Sequence, residues 1–161
     1  MIPGAGCGGI QMKKFAFSLD KVLTYKEQIE HNLRAEYAQI VQKVAMEEEH
    51  LQRLEEEHAA YRMRYEEEKH KGSTIRRMKV YESYLESVLW NIQKTEKMIK
   101  RLKAEEEAKR EEVIAAKTET SSIDRLKDKR KKEYDAAERK AEEIFVEEFV
   151  ANTSSARVKT G

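Results

Sequence analysis

From Gln11 to Lys71 the chain contains neither glycine nor proline, and from Ser73 to Thr160 it again contains neither. A chain with so few places to turn cannot build a sandwich, a barrel or an alternating α/β domain, all of which need frequent turn residues. Two very long elements meeting at Gly72 remain, with disorder as the competing outcome. Disorder has to be weighed because 39% of the residues are charged and the mean hydropathy is -0.86. The spacing of the apolar residues decides between them.

That spacing is regular. Leu33, Tyr37, Ile40, Val44, Glu47, Leu51, Leu54, His58, Tyr61 and Tyr65 follow in alternating steps of four and three, and only Glu47 and His58 among them are polar. A heptad seam explains such a phase. Upstream, Leu19, Val22, Lys26, Ile29 and Leu33 continue it if one stutter is allowed at 29–33–37. The ends of this helix, 19–71, are readable: Ser18 can cap it, Asp20 lies in the positive first turn, and Lys69, His70 and Lys71 precede Gly72 at the negative end.

After a turn at 72–73, Ser73 or Thr74 can cap a second helix, 74–150. Its seam runs from Met78 through Tyr81, Leu85, Val88, Ile92, Thr95, Ile99 and Leu102, and keeps phase through Tyr134, Ala137, Ala141 and Ile144. Glu96 with Lys100, Glu105 with Lys109, and Glu106 with Arg110 stand at spacings that favour ion pairs along the helix. The fold class is therefore all-α: an antiparallel two-helix coiled coil, a long α-hairpin whose second helix is the longer. Residues 1–11, glycine-rich and without period, read as a flexible N-terminal extension, and 151–161 as a flexible tail.

At about 1.5 Å per residue the helices extend roughly 80 Å and 115 Å. Folding at Gly72 sets residue i opposite about 144 − i. Glu47 then approaches Lys97 or Lys100, and everything beyond about residue 126 has no mate from the first helix. That overhang still carries Tyr134, Ile144, Phe145 and Phe149. An unpaired helix with apolar residues is a partner-seeking surface.

Little in the chain points to catalysis. His31, His50, His58 and His70 are scattered, and the Glu47–Glu49 and Glu55–Glu57 runs point in different directions around a helix. No catalytic, cofactor-binding or metal-binding residue is expected, and no cofactor. No apolar run approaches the roughly 18 residues of a membrane span. No signal peptide is readable, and Cys7 has no internal partner. With 32 Lys+Arg against 31 Asp+Glu, the net charge gives no field for nucleic acid or an acidic membrane. A cytoplasmic protein, neither inserted in a membrane nor bound to nucleic acid, is the expectation.

Two features suit partners. The basic run at 125–132 includes the seam positions Lys127 and Arg130 with Lys131 and Lys132, just where the second helix loses its mate. A solvated face is the plain reading of such a run, but basic residues there suit an acidic partner surface; a nucleic-acid footprint is the weaker alternative, because interleaved stacking aromatics are missing. Near the start of the second helix, Tyr84, Leu89 and Trp90 lie off the seam and widen the apolar stripe. Ordinary flanking packing, a third helix or a docking face would account for them.

The opening pattern of Phe15, Phe17, Leu19, Val22, Leu23 and Lys26 resembles the start of the FliJ family, the small coiled-coil component of the bacterial flagellar type III export apparatus. Met78, Tyr81, Tyr84, Leu85 and Val88 are similar to the pattern after that family's central turn, and Glu142-Glu143-Ile144-Phe145 with Glu147-Glu148-Phe149 fits its C-terminal end. The resemblance implies a non-enzymatic monomer, cytoplasmic and peripherally associated with the cell membrane at the flagellar base. It implies three kinds of partner: the hexameric export ATPase FliI, the export-gate protein FlhA, and export chaperones. The gate face would fall on Tyr84, Val88, Asn91 and Thr95. The ATPase-ring contact would fall on the overhang, with Lys127, Arg130, Lys131 and Lys132 as a basic collar and Tyr134, Ile144, Phe145 and Phe149 as the apolar end. The rival reading is a structural coiled-coil scaffold that self-associates through the overhang.

Overall fold

The computed structural model describes residues 13–158. The expected N-terminal extension with Cys7, and residues 159–161, lie outside the described residues. Two helices make up the fold, α1 (Asp20–Lys71) and α2 (Ile75–Val158), packed as an antiparallel hairpin.

The helix ends follow from local chemistry. The Asp20 amide donates to the Phe17 carbonyl at 3.1 Å and the Leu23 amide to the Leu19 carbonyl at 2.8 Å, so α1 winds up from a turn at 18–19. At its other end Gly72 adopts φ 78°, a left-handed conformation that costs a residue with a Cβ. The Thr74 hydroxyl, not that of Ser73, accepts the Arg77 amide at 3.4 Å and caps α2. α2 continues past Val150 to Val158, through residues expected to form a flexible tail. There the Thr153 hydroxyl donates to the Phe149 carbonyl at 2.8 Å, a bond that needs helical backbone.

The chain divides into two units, one of residues Gln28–Lys117, the other of the residues up to Glu27 with those from Thr118. In the first, every expected seam position is buried or half-buried, and Val44, Leu54, Val88, Ile92, Ile99 and Leu102 are the core. Leu54, Val88 and Ile92 touch, with Leu51 and Tyr84 packed against them. Near the turn the ring of Tyr61 lies 4.2 Å from Tyr84 and 6.5 Å from Tyr81, and Tyr65 lies 6.3 Å from Tyr81. Ion pairs Glu68–Arg77 (3.4 Å), Glu48–Lys103 (2.6 Å) and Glu36–Lys109 (3.0 Å) cross between the helices. The first and last lie one step from the register set by folding at Gly72. Glu47, however, does not reach Lys97 or Lys100; its neighbour Glu48 takes the cross-helix cation.

The expected pairs along α2 rearrange too. Lys109 turns to Glu36 and Glu112, Arg110 to Glu107, and Glu105 receives Arg101. No Glu96–Lys100 pair is present among the described residues. Exposed ion pairs differ from one another by too little energy for spacing alone to choose between them.

In the second unit the seam enters through Leu23, which is 4% exposed, while Leu19 and Val22 are 37% and 41% exposed. Counting Leu23, Lys26, Glu30, Leu33 and Tyr37 gives unbroken steps of three and four, so no stutter is needed. In the first unit, Glu30 joins the seam beside the half-buried Ile29, with its side chain 14% exposed and paired to Arg34 at 2.5 Å. Lys26 pairs with Glu119 and Lys127 with Asp20, each at 2.6 Å.

Candidate functional site

The part of α2 beyond Lys127 was expected to be bare. It is bare only at its end. The segment before α1 lies against α2: the Phe15 ring sits 5.6 Å from that of Tyr134, and the Tyr134 hydroxyl donates to the Lys13 carbonyl at 2.7 Å. Lys131 reaches over both rings, at 5.5 Å from Phe15 and 5.3 Å from Tyr134. Residues 13–19 with Leu126, Arg130 and Tyr134 line a shallow groove of about 590 Å³. The count that left 126 onward unpartnered began at Leu19, where α1 was expected to start, and so gave no place to residues 13–18. Those residues continue along α2 in step with it: Asp20 meets Lys127 and Lys13 meets Tyr134, seven positions further in each direction.

The basic collar is largely neutralised. Lys127 faces Asp20, Arg130 faces Glu133 at 3.2 Å, and Lys131 faces Asp135 at 2.7 Å. The hydrogen bonds to those aspartates raise the Lys127 and Lys131 ammonium groups above the usual lysine range. Lys132 alone of the four has no carboxylate partner among the described residues. Further along, Ile144, Phe145 and Phe149 are 47%, 41% and 62% exposed, and Val146 and Val150 are exposed beside them. Ala137, expected on the seam, is also exposed. The apolar end of α2 therefore has no cover among the described residues of its unit. Val146 and Val150 were missed because they lie off the extrapolated seam, and without a mate the seam no longer marks which side is inside.

Of the stripe of Tyr84, Val88, Asn91 and Thr95, two residues are buried and two are half-buried. Val88 is 4% and Thr95 8% exposed, both in the core. Tyr84 and Asn91 are half-buried at its edge. The Tyr84 hydroxyl donates to the Glu57 carboxylate, and this bond pushes its pKa up to about 12. These four residues share one helical face, which is half seam: Tyr84 and Asn91 flank the row that Val88 and Thr95 belong to. Val88 and Thr95 fall on the three–four spacing that α1 covers. The neighbours that do face outward are Leu89, 45% exposed, and Trp90, 61% exposed, with Lys94 held 5.2 Å above the indole. No third helix covers them among the described residues.

No group of His, Cys, Asp and Glu among the described residues could hold a metal ion. No helix among them is long and apolar enough to cross a membrane. The geometry offers helical faces for protein contact. Against known proteins, the model of the family described as Flagellar FliJ protein matches residues 15–159, which covers α1, α2 and the segment carrying Phe15 and Phe17. The chain belongs to the FliJ family. Its function is accordingly in flagellar protein export and motility. No curated protein and no solved structure matches it. As a FliJ protein it carries the family's opening phenylalanines in a structural task, because Phe15 and Phe17 are half-buried where the segment meets α2.

Proposed function

We propose that this FliJ protein acts, without enzymatic activity of its own, as a monomeric coupling element between the export ATPase ring and the export gate, and that it escorts export chaperones. It works in the cytoplasm, peripherally associated with the membrane at the flagellar base. The observation carrying this reading is the bare apolar end of α2: Ile144, Phe145 and Phe149 stay exposed at the end of a long helix in a chain whose family serves flagellar export. A ring can hold such an end by packing, after Lys132 and its neighbours have steered it in. At the gate face, Asn91 and the accessible edge of Tyr84 make contact, while Val88 and Thr95 support them from the core.

The deciding measurement is the ATPase rate of the hexameric partner with the full chain and with a chain ending at Lys140. That cut keeps Tyr134 and Asp135, and with them the contacts to Phe15, Lys13 and Lys131. Stimulation by the full chain and none by the short one supports the ring contact. Equal stimulation by both overturns it. A full chain that instead sediments as a dimer, with the short one a monomer, favours the self-associating scaffold.

A further inference from the structure

The run at 125–132 looks basic in the sequence, yet three of its cations face carboxylates. A different basic face is open. On α2, the residues Arg76, Lys79, Ser83, Ser87, Trp90, Lys94, Lys97 and Arg101 follow in steps of three and four, and all are exposed. They lie on the side of the helix opposite Tyr81, Val88, Ile92, Thr95 and Ile99, which face α1. Arg76, Lys79 and Lys97 have no carboxylate partner among the described residues; Lys94 lies over Trp90, and Arg101 reaches Glu105 at 3.6 Å. Glu86 is the acid on this face. The near-zero net charge of the chain hides the stripe, because acidic residues elsewhere on both helices offset it.

We propose that this outward face of α2, from Arg76 to Arg101, is a docking surface for an anionic lipid bilayer, with Trp90 seated at head-group depth. A straight helix holds these cations in one line roughly 38 Å long, matching a plane of phosphates. Tryptophan favours the membrane–water interface, and lysines and arginines beside it bind anionic head groups. The alternatives fit the face less well. A partner helix needs apolar anchors repeated at three and four residues, but here Val80 and Trp90 stand ten residues apart with Ser83 and Ser87 between them. A single-stranded nucleic acid needs repeated stacking platforms, and the chain has 1 Trp. The inference does not depend on the ring contact, which lies at the other end of α2.

That single tryptophan makes the test direct. The full chain is mixed with vesicles of phosphatidylcholine alone, or of phosphatidylcholine with phosphatidylglycerol, and binding is read by sedimentation and by Trp90 emission. Binding only to the phosphatidylglycerol vesicles, with a blue-shifted emission and loss at high salt, is the expected result. The double variant Lys79→Gln/Lys97→Gln should bind about 25-fold more weakly, at about fivefold per cation removed. Its melting temperature should be unchanged, because both residues are exposed. Three results would each overturn the proposal: no binding to anionic vesicles, binding indifferent to the double substitution, or a Trp90 shift produced by soluble polyglutamate but not by vesicles. The last would assign the face to an acidic protein instead.

Discussion

Tyr84 shows how one hydroxyl reports the packing of two helices. Its bond to Glu57 favours the protonated phenol, so its pKa in the folded state is raised to about 12 from the ordinary 10.0. Between those values the unfolded chain has lost the proton and the folded one keeps it, so stability falls as pH rises through that window and is fully present below it. Chemical denaturation from pH 9 to 12 should show a steeper loss for the native chain than for Tyr84→Phe; equal slopes would mean the bond is absent in solution. Lysines paired with carboxylates, such as Lys103 with Glu48, lose stability in the same direction and contribute equally to both proteins. Glu47 argues the opposite case. It stands half-buried on the seam while Glu48 takes Lys103. Glu47→Leu should therefore raise stability by about 1 kcal/mol, seen as a higher melting temperature. A lower one would mean that Glu47 is well satisfied where it is.

Within α1, the choice between Leu23 and Val22 tests which residues form the seam. Leu23 is 4% and Val22 41% exposed. Leu23→Ala should cost about 2–4 kcal/mol, whereas Val22→Ala should stay within about 0.5 kcal/mol; urea unfolding of both variants measures the difference. The sequence reading chose Val22 because Leu19, Val22 and Ile29 are all apolar, and it needed a stutter to do so. The native phase is simpler and puts Lys26 and Glu30 on the seam, with Ile29 half-buried beside them, so apolarity alone misplaced only its start. At the turn, Gly72 has open space where a Cβ would go, and the cost of a side chain there is conformational. Gly72→Ala should destabilise by roughly 1–2 kcal/mol, with Gly72→Asn milder; an unchanged melting temperature for both would mean the turn can re-form without the left-handed residue.

For the molecule as a whole, the collar residues separate steering from packing. Lys132 is exposed and unpaired, whereas Lys131 holds Asp135 and covers Phe15 and Tyr134. Lys132→Glu should slow association with the ATPase ring, most at low salt, and leave the melting temperature alone. Lys131→Glu should lower both, because it also loosens the segment before α1; stopped-flow association and thermal melting distinguish the two. What the sequence determined by itself is the class of fold, its turn and the register from Glu36 to Lys109, since a heptad phase and the absence of Gly and Pro are local properties of each helix. Tertiary structure decided the rest. Whether Val88 and Thr95 face a partner or the core depends on where α1 lies, not on their spacing. Likewise, the cover over Tyr134 comes from a segment 121 positions away in the chain. No periodicity carries that contact, because a segment outside any helix has no helical phase to read.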